Sequence, residues 1–184
     1  IRENGLKEDD FGDKCAFLFD VIKRYDHYIG TTNFKVGLLM SFIAAIILGL
    51  SIRIILTEPS GSGCDYLYYL ASASSLFTIL LSILTAVNLL RVVFPNTKTD
   101  KNYKSMIFFG DVCATDNGAD GYVNKIKEAT PDEIIEDLSK QTFMVAEIVS
   151  EKFRVLRVAV NIAIYGVLPM LAVSLFLLIL NGAG

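Results

Sequence analysis

The sequence predicts an all-α membrane protein with three transmembrane helices and cytoplasmic helical extensions. Three observations carry this. The 184 residues are 53% apolar and only 20% charged. Residues 36–56, 67–90 and 158–180 contain no Asp, Glu, Lys or Arg except Arg53. Each stretch reaches the roughly 20 residues that a helix rising ~1.5 Å per residue needs to cross a ~30 Å hydrocarbon core. Such clumping of charge excludes a soluble globular enzyme. A net charge of −3 argues against a basic nucleic-acid binder. No stretch has the charged start and small-residue cleavage site of a signal peptide. Cys15, Cys64 and Cys113 share no metal-site spacing, and an odd number cannot form a complete disulfide framework.

These boundaries divide the chain into four parts. Residues 1–35 are a cytoplasmic N-terminal segment. Here Phe11, Cys15, Leu18, Phe19, Ile22, Tyr25 and Ile29 recur every three or four residues, which makes an amphipathic helix. Gly30-Thr31-Thr32 is expected to kink or break it before the first span. Residues 36–95 form a transmembrane hairpin, because the connector around Glu58-Pro59-Ser60-Gly61 is short turn chemistry. Tyr66, Tyr68 and Tyr69 fall where an interfacial aromatic belt lies. Residues 96–157 are cytoplasmic. Their first half, up to 130, is rich in Gly, Asp, Asn and Thr and reads as a loop with one short strand or helical turn. Thr130-Pro131-Asp132-Glu133 then starts a helix, with an N-cap, a Pro at the first helical position and a capping box. Ile134, Leu138, Val145, Ile148, Val149, Phe153 and Leu156 form its apolar face, and no breaker precedes Gly166 and Pro169. The helix therefore runs into residues 158–184, the third span and a short exterior tail. Packed with the amphipathic N-terminal helix, its cytoplasmic half would form a helical stalk.

Orientation follows from the basic residues in the flanks. Six Lys or Arg precede the first span, ten lie between the second and third, and none lie in the 57–66 connector or after Leu180. The N-terminus is thus cytoplasmic and the C-terminus exterior, in a multi-pass protein. Asn161, near the inner end of the third span, reads as a cap or hydrogen-bonding residue.

No catalytic residues can be assigned. His27 is the sole histidine, and no nucleophile elbow, zinc-protease or Walker pattern occurs. Asp116-Asn117-Gly118-Ala119-Asp120-Gly121 resembles the start of a calcium loop, but its third and twelfth positions are Gly118 and Lys127 rather than oxygen ligands. A polar turn is the better reading, and neither a metal nor a resident cofactor is expected. Phe108-Phe109-Gly110-Asp111-Val112 has the F-G-acid step of cyclic-nucleotide cassettes, yet no Arg follows before Arg154 and the region is too short for their β-roll. Phe109, Gly110 and Asp111 are therefore ligand contacts or a structural turn.

Ser75, Thr78, Ser82, Thr85 and Asn88 fall on one face of the second span. They either line a water-filled path in an assembly of copies or serve helix packing. Three spans cannot enclose a pore alone, so lining requires a homo-oligomer. Gly37, Ser41, Ala45 and Gly49 form a small-residue ridge for close helix contact. Arg53 continues that face, either snorkelling beside Glu58 or Asp65 or serving as an anion or interface charge.

Three segments carry a family resemblance: Leu18–Leu39 (LFDVIKRYDHYIGTTNFKVGLL), Phe108–Val112 (FFGDV), and Asp137–Pro169, which includes Lys152-Phe153-Arg154-Val155-Leu156-Arg157 as a K-[FY]-x-x-[LV]-R signature. In order and content they resemble the Pycsar effector transmembrane family of bacterial antiphage defence. That resemblance implies an oligomeric effector in the bacterial inner (plasma) membrane. It would answer a nucleotide second messenger, with a cyclic nucleotide as activating ligand, and compromise the membrane or form an ion path, arresting or killing the infected cell. A nucleotide sensor would lie before Ile1, in a partner, or in a pocket that 96–157 builds across subunits. The alternative is a membrane anchor whose cytoplasmic helices recruit a partner without a channel.

Overall fold

A computed structural model describes residues 2–57, 65–94 and 104–182. All regular elements among them are helical: α1 (Arg2–Leu56), α2 (Asp65–Val93), α3 (Phe109–Cys113), α4 (Gly118–Glu128), α5 (Pro131–Ile162), a π-helical turn (Ala163–Val167) and α6 (Leu168–Gly182). Three helices are long and apolar enough to cross a membrane. The chain divides into two compact units, Ile1–Gly30 with Asn96–Ser150, and Thr31–Pro95 with Glu151–Gly184. Cys64, Pro95 and the connector from Glu58 to Gly63 lie outside the described residues.

In the unit that holds the spans, the core joins Val36, Ile43, Ile46 and Leu50 of α1, Ala71, Leu89 and Val92 of α2, and Ala159, Val167 and Leu178 of the third long helix. Apolar side chains also cover the outside. Leu48, Leu80, Phe176 and Ile179 are each more than 60% exposed. In water such a surface would aggregate; in lipid tails it is solvated.

The expected break at Gly30-Thr31-Thr32 is absent: α1 runs unbroken through it. Thr32 is buried and begins the line Thr32, Val36, Ile43, Ile46, Leu50 on one helical face. Burial along that line outweighs the ~1 kcal/mol helix penalty of one glycine. N-terminal to it, Phe11, Cys15, Leu18, Ile22, Tyr25 and Ile29 are half-buried as their spacing requires, while Phe19 is exposed.

The segment read as a loop contains two helices, α3 and α4. An αL pair, Asn117 at φ 63° and Gly118 at φ 59°, turns the chain into α4. Nothing in α4 is buried. Polar bonds anchor it instead: Tyr122 OH donates to Met106 O at 2.9 Å, and Lys125 Nζ reaches Lys104 O and Ser105 O at 3.4 Å. The apolar residues of α4, Ala119, Tyr122, Val123 and Ile126, keep helical spacing, but over about two turns, too short a pattern to mark a helix in a polar segment.

The capping box forms. Thr130 N–H donates to Glu133 Oε2 at 2.8 Å, and Glu133 N–H donates to Thr130 Oγ1 at 3.3 Å. From Pro131 the helix continues into the third span, widening once at Ala163–Val167, where Leu168 N–H bonds to Ala163 O. Pro169 explains the widening. It has no N–H for Tyr165 O, and its ring would strike that carbonyl in a regular α-turn.

Along α5 one apolar expectation reverses. Phe153 is 46% exposed, whereas its neighbour Lys152 is 4% exposed. The buried line through Leu138, Val149 and Ala159 advances by helical steps that reach position 152 rather than 153.

Candidate functional site

The polar stripe of the second span lies at a helix interface. Ser75, Thr78, Ser82 and Thr85 are all buried in the single chain. Asn88 is half-buried at the end of the series, with its amide on Leu84 O. The stripe packs against α6 and the π turn. Small side chains let the backbones approach, and the two threonine hydroxyls are satisfied locally. Thr78 Oγ1 donates to Ser74 O, Thr85 Oγ1 to Leu81 O, and Ser174 Oγ of α6 to Met170 O.

Thr78 Oγ1 also lies 2.9 Å from Ser174 Oγ, which links the two helices. Each hydroxyl carries one hydrogen, so the cross-link forms only when one of the two gives up its bond to a carbonyl. Such interhelical bonds contribute about 0.6 kcal/mol on average. Ser75 Oγ and Ser82 Oγ have no partner among the described residues. The face is thus closed in this structure but incompletely satisfied.

The Gly37, Ser41, Ala45, Gly49 ridge lies elsewhere. All four residues are exposed, and a Cβ on Gly37 or Gly49 would meet nothing within 4 Å. Ser41 Oγ donates to Gly37 O. Arg53, also exposed, continues this open face. Glu58 lies outside the described residues, as does the Asp65 side chain. Asn161 is exposed.

Among the described residues of this unit the most connected side chain is Lys152. Its Nζ donates to Val92 O at 2.6 Å, Val93 O at 3.3 Å and Asn33 Oδ1 at 3.1 Å. Val92 and Val93 end α2, where carbonyls lack helical partners and the helix dipole is negative. Lys152 therefore caps α2 and ties it to α1 at one end of the spans. The sequence placed this residue in a signature without giving it a task. The available signal was its register, since 152 continues the buried line of α5.

The other unit contains a second constellation. Asp137 is 2% exposed. Its Oδ2 accepts from Met106 N–H at 2.8 Å and Ser105 Oγ at 3.2 Å. Asp111 Oδ2 accepts from Ser105 N–H at 2.9 Å. Ser105 Oγ in turn accepts from the Ile107 and Phe108 amides. Two carboxylates thus clamp one serine and set the turn that opens α3. Gly110 leaves room for the Phe108 ring, which a Cβ would approach to 2.7 Å. Phe109 is 75% exposed. Of the three motif residues, Asp111 and Gly110 shape the turn, and Phe109 is the one left free for contact.

Beside this clamp is an open cleft of about 480 Å³. Among the described residues, Glu128, Glu133, Glu136 and Asp137 line it with Lys104 and Lys125. Excess negative charge makes it a poor seat for a phosphate. Among the described residues no group of three or more His, Cys, Asp or Glu could hold a metal ion.

The clamped F-F-G-D turn and the α5 helix that follows it both fall inside a match to the Pycsar effector protein domain, PycTM, over residues 17–180. The chain belongs to the PycTM family. As a PycTM protein with three helices long and apolar enough to cross a membrane, it is a multi-pass membrane protein of a Pycsar effector family. It is similar to the Pycsar effector protein EcPycTM of Escherichia coli, with 28% identity over 180 residues, covering 93% of this chain and 95% of the relative. No solved structure matches it.

Proposed function

We propose that this PycTM protein is an effector of nucleotide-signalled antiphage defence whose activated assembly makes the inner membrane leak. The incompletely satisfied polar face of α2 carries this reading. In the packed state the face is shut, and two of its hydroxyls are unpartnered. Parting α2 from α6 in an assembly of copies would let water satisfy them, while removing the Thr78–Ser174 link. Activation then needs only a ligand or partner that binds the parted state better than the packed one.

The flanking charges support an orientation with the N-terminus cytoplasmic and the C-terminus exterior. That arrangement puts residues 1–35 and 96–157 on the side where a nucleotide signal is made. The acidic cleft of the single chain disfavours that anion, so the sensor is assigned to surfaces shared between copies, to a partner, or to a segment before Ile1.

The test is membrane potential, read with a voltage-sensitive dye in bacteria expressing the chain, with and without added cyclic nucleotides. Nucleotide-dependent depolarisation is expected. A steady potential in every condition, with the protein shown to be inserted, would support a membrane anchor instead.

A further inference from the structure

A shallow groove of about 570 Å³ runs between α1 and α6 on the outside of the spans. That is within the roughly 300–1,000 Å³ of small-molecule sites. Leu171, Leu175 and Leu178 wall it on the α6 side, Ala45 and Gly49 form its floor on α1, and Arg53 stands at one end. From Phe42 to Arg53 the helix rises about 16 Å at ~1.5 Å per residue. This is half of a ~30 Å hydrocarbon core, the depth of one leaflet. The groove is thus apolar along the length of an acyl chain and cationic at the depth of a headgroup.

We propose that this groove binds one phospholipid, with an acyl chain along Ala45 and Gly49 and its phosphate on the Arg53 guanidinium. Charge complementarity selects this occupant. No carboxylate whose side chain is described pairs with Arg53. A guanidinium matches a phosphate with two parallel hydrogen bonds. A second copy fits less well, because a parallel two-fold contact through this face would set Arg53 against its own counterpart. The proposal does not depend on the effector reading.

The experiment uses the full chain in vesicles of phosphatidylethanolamine and phosphatidylglycerol, with a phosphatidylglycerol probe carrying a photoactivatable acyl chain. Labelled residues are mapped by mass spectrometry. In the unaltered protein, labelling is expected to concentrate on 42–53 and 171–179. Gly49→Leu fills the floor without a backbone clash, since a Cβ there meets nothing within 4 Å. It should lower the labelling about tenfold, and so should Arg53→Gln, the factor expected for losing one charge-assisted bond. Gly37→Leu is the control. It adds the same bulk to the same ridge outside the groove, and labelling should not change.

Even labelling around all three spans, equal in every variant, would mean ordinary annular lipid and overturn the site. So would an unlabelled groove whose Gly49→Cys variant, with the native cysteines replaced by Ser, cross-links to a second copy. Loss with Gly49→Leu but not with Arg53→Gln would overturn the phosphate contact.

Discussion

Lys152 and Asp137 do similar work in the two units: each is a buried ionisable side chain that bonds backbone groups at the end of a helix or in a turn. Replacing Asp137 with Ala leaves the Met106 amide and the Ser105 hydroxyl without their acceptor, at about 1.5–3 kcal/mol for each bond to a charged group. Amide exchange at Met106, Ile107 and Phe108 should accelerate strongly, while exchange in the spans stays slow. Lys152→Met keeps the apolar stem but exposes the last carbonyls of α2. Faster exchange in the final turn of α2 is the expected result, and Lys152→Arg should restore part of the protection. Little of this was legible beforehand. Hydropathy assigns a lysine to water and a phenylalanine to the interior, and at 152 and 153 the helix register decides the opposite.

At the level of single elements, the start of α5 is sensitive to acid. The Thr130 amide, joined by its hydroxyl, holds the Glu133 carboxyl below its ordinary value of 4.5. A carboxylate with a depressed folded pKa stabilises fully above its unfolded pKa, and the contribution disappears as pH falls through the folded one. Protection of the first turn of α5 should therefore be constant above pH about 4.5 and fade below it, and Glu133→Gln should flatten the curve. A hydrogen-exchange titration of that turn checks both. This box was readable in the sequence because its two halves sit three residues apart. The same locality made the three spans readable. Elements fixed by distant partners were not: α4 depends on Met106, Lys104 and Ser105, and the continuity of α1 through Gly30 depends on what Thr32 and Val36 meet. The π turn is intermediate, since Pro169 marks the place but not the remedy.

Considered as a whole, the molecule keeps its polar stripe inside and its small-residue ridge outside, and periodicity alone could not distinguish these. Both are single helical faces, and only the partner helix decides which is covered. If the closed stripe is the resting state, Ser75→Ala with Ser82→Ala removes two unpartnered hydroxyls and should stabilise the α2–α6 packing by about 1–3 kcal/mol per site. Thermal unfolding in detergent would show the gain, and depolarisation in expressing cells should weaken. Stronger depolarisation would contradict a path lined by this face.

The bonds from Thr78 and Thr85 to carbonyls of their own helix also bear on biosynthesis. Ser174 leaves the ribosome about 90 residues after Thr85. At ~5–20 residues per second that is an interval of roughly 5–20 s. During it the hairpin has no third helix to receive its hydroxyls. Because Ser74 O and Leu81 O accept them, the second span can enter lipid as a self-sufficient segment and wait for its neighbour.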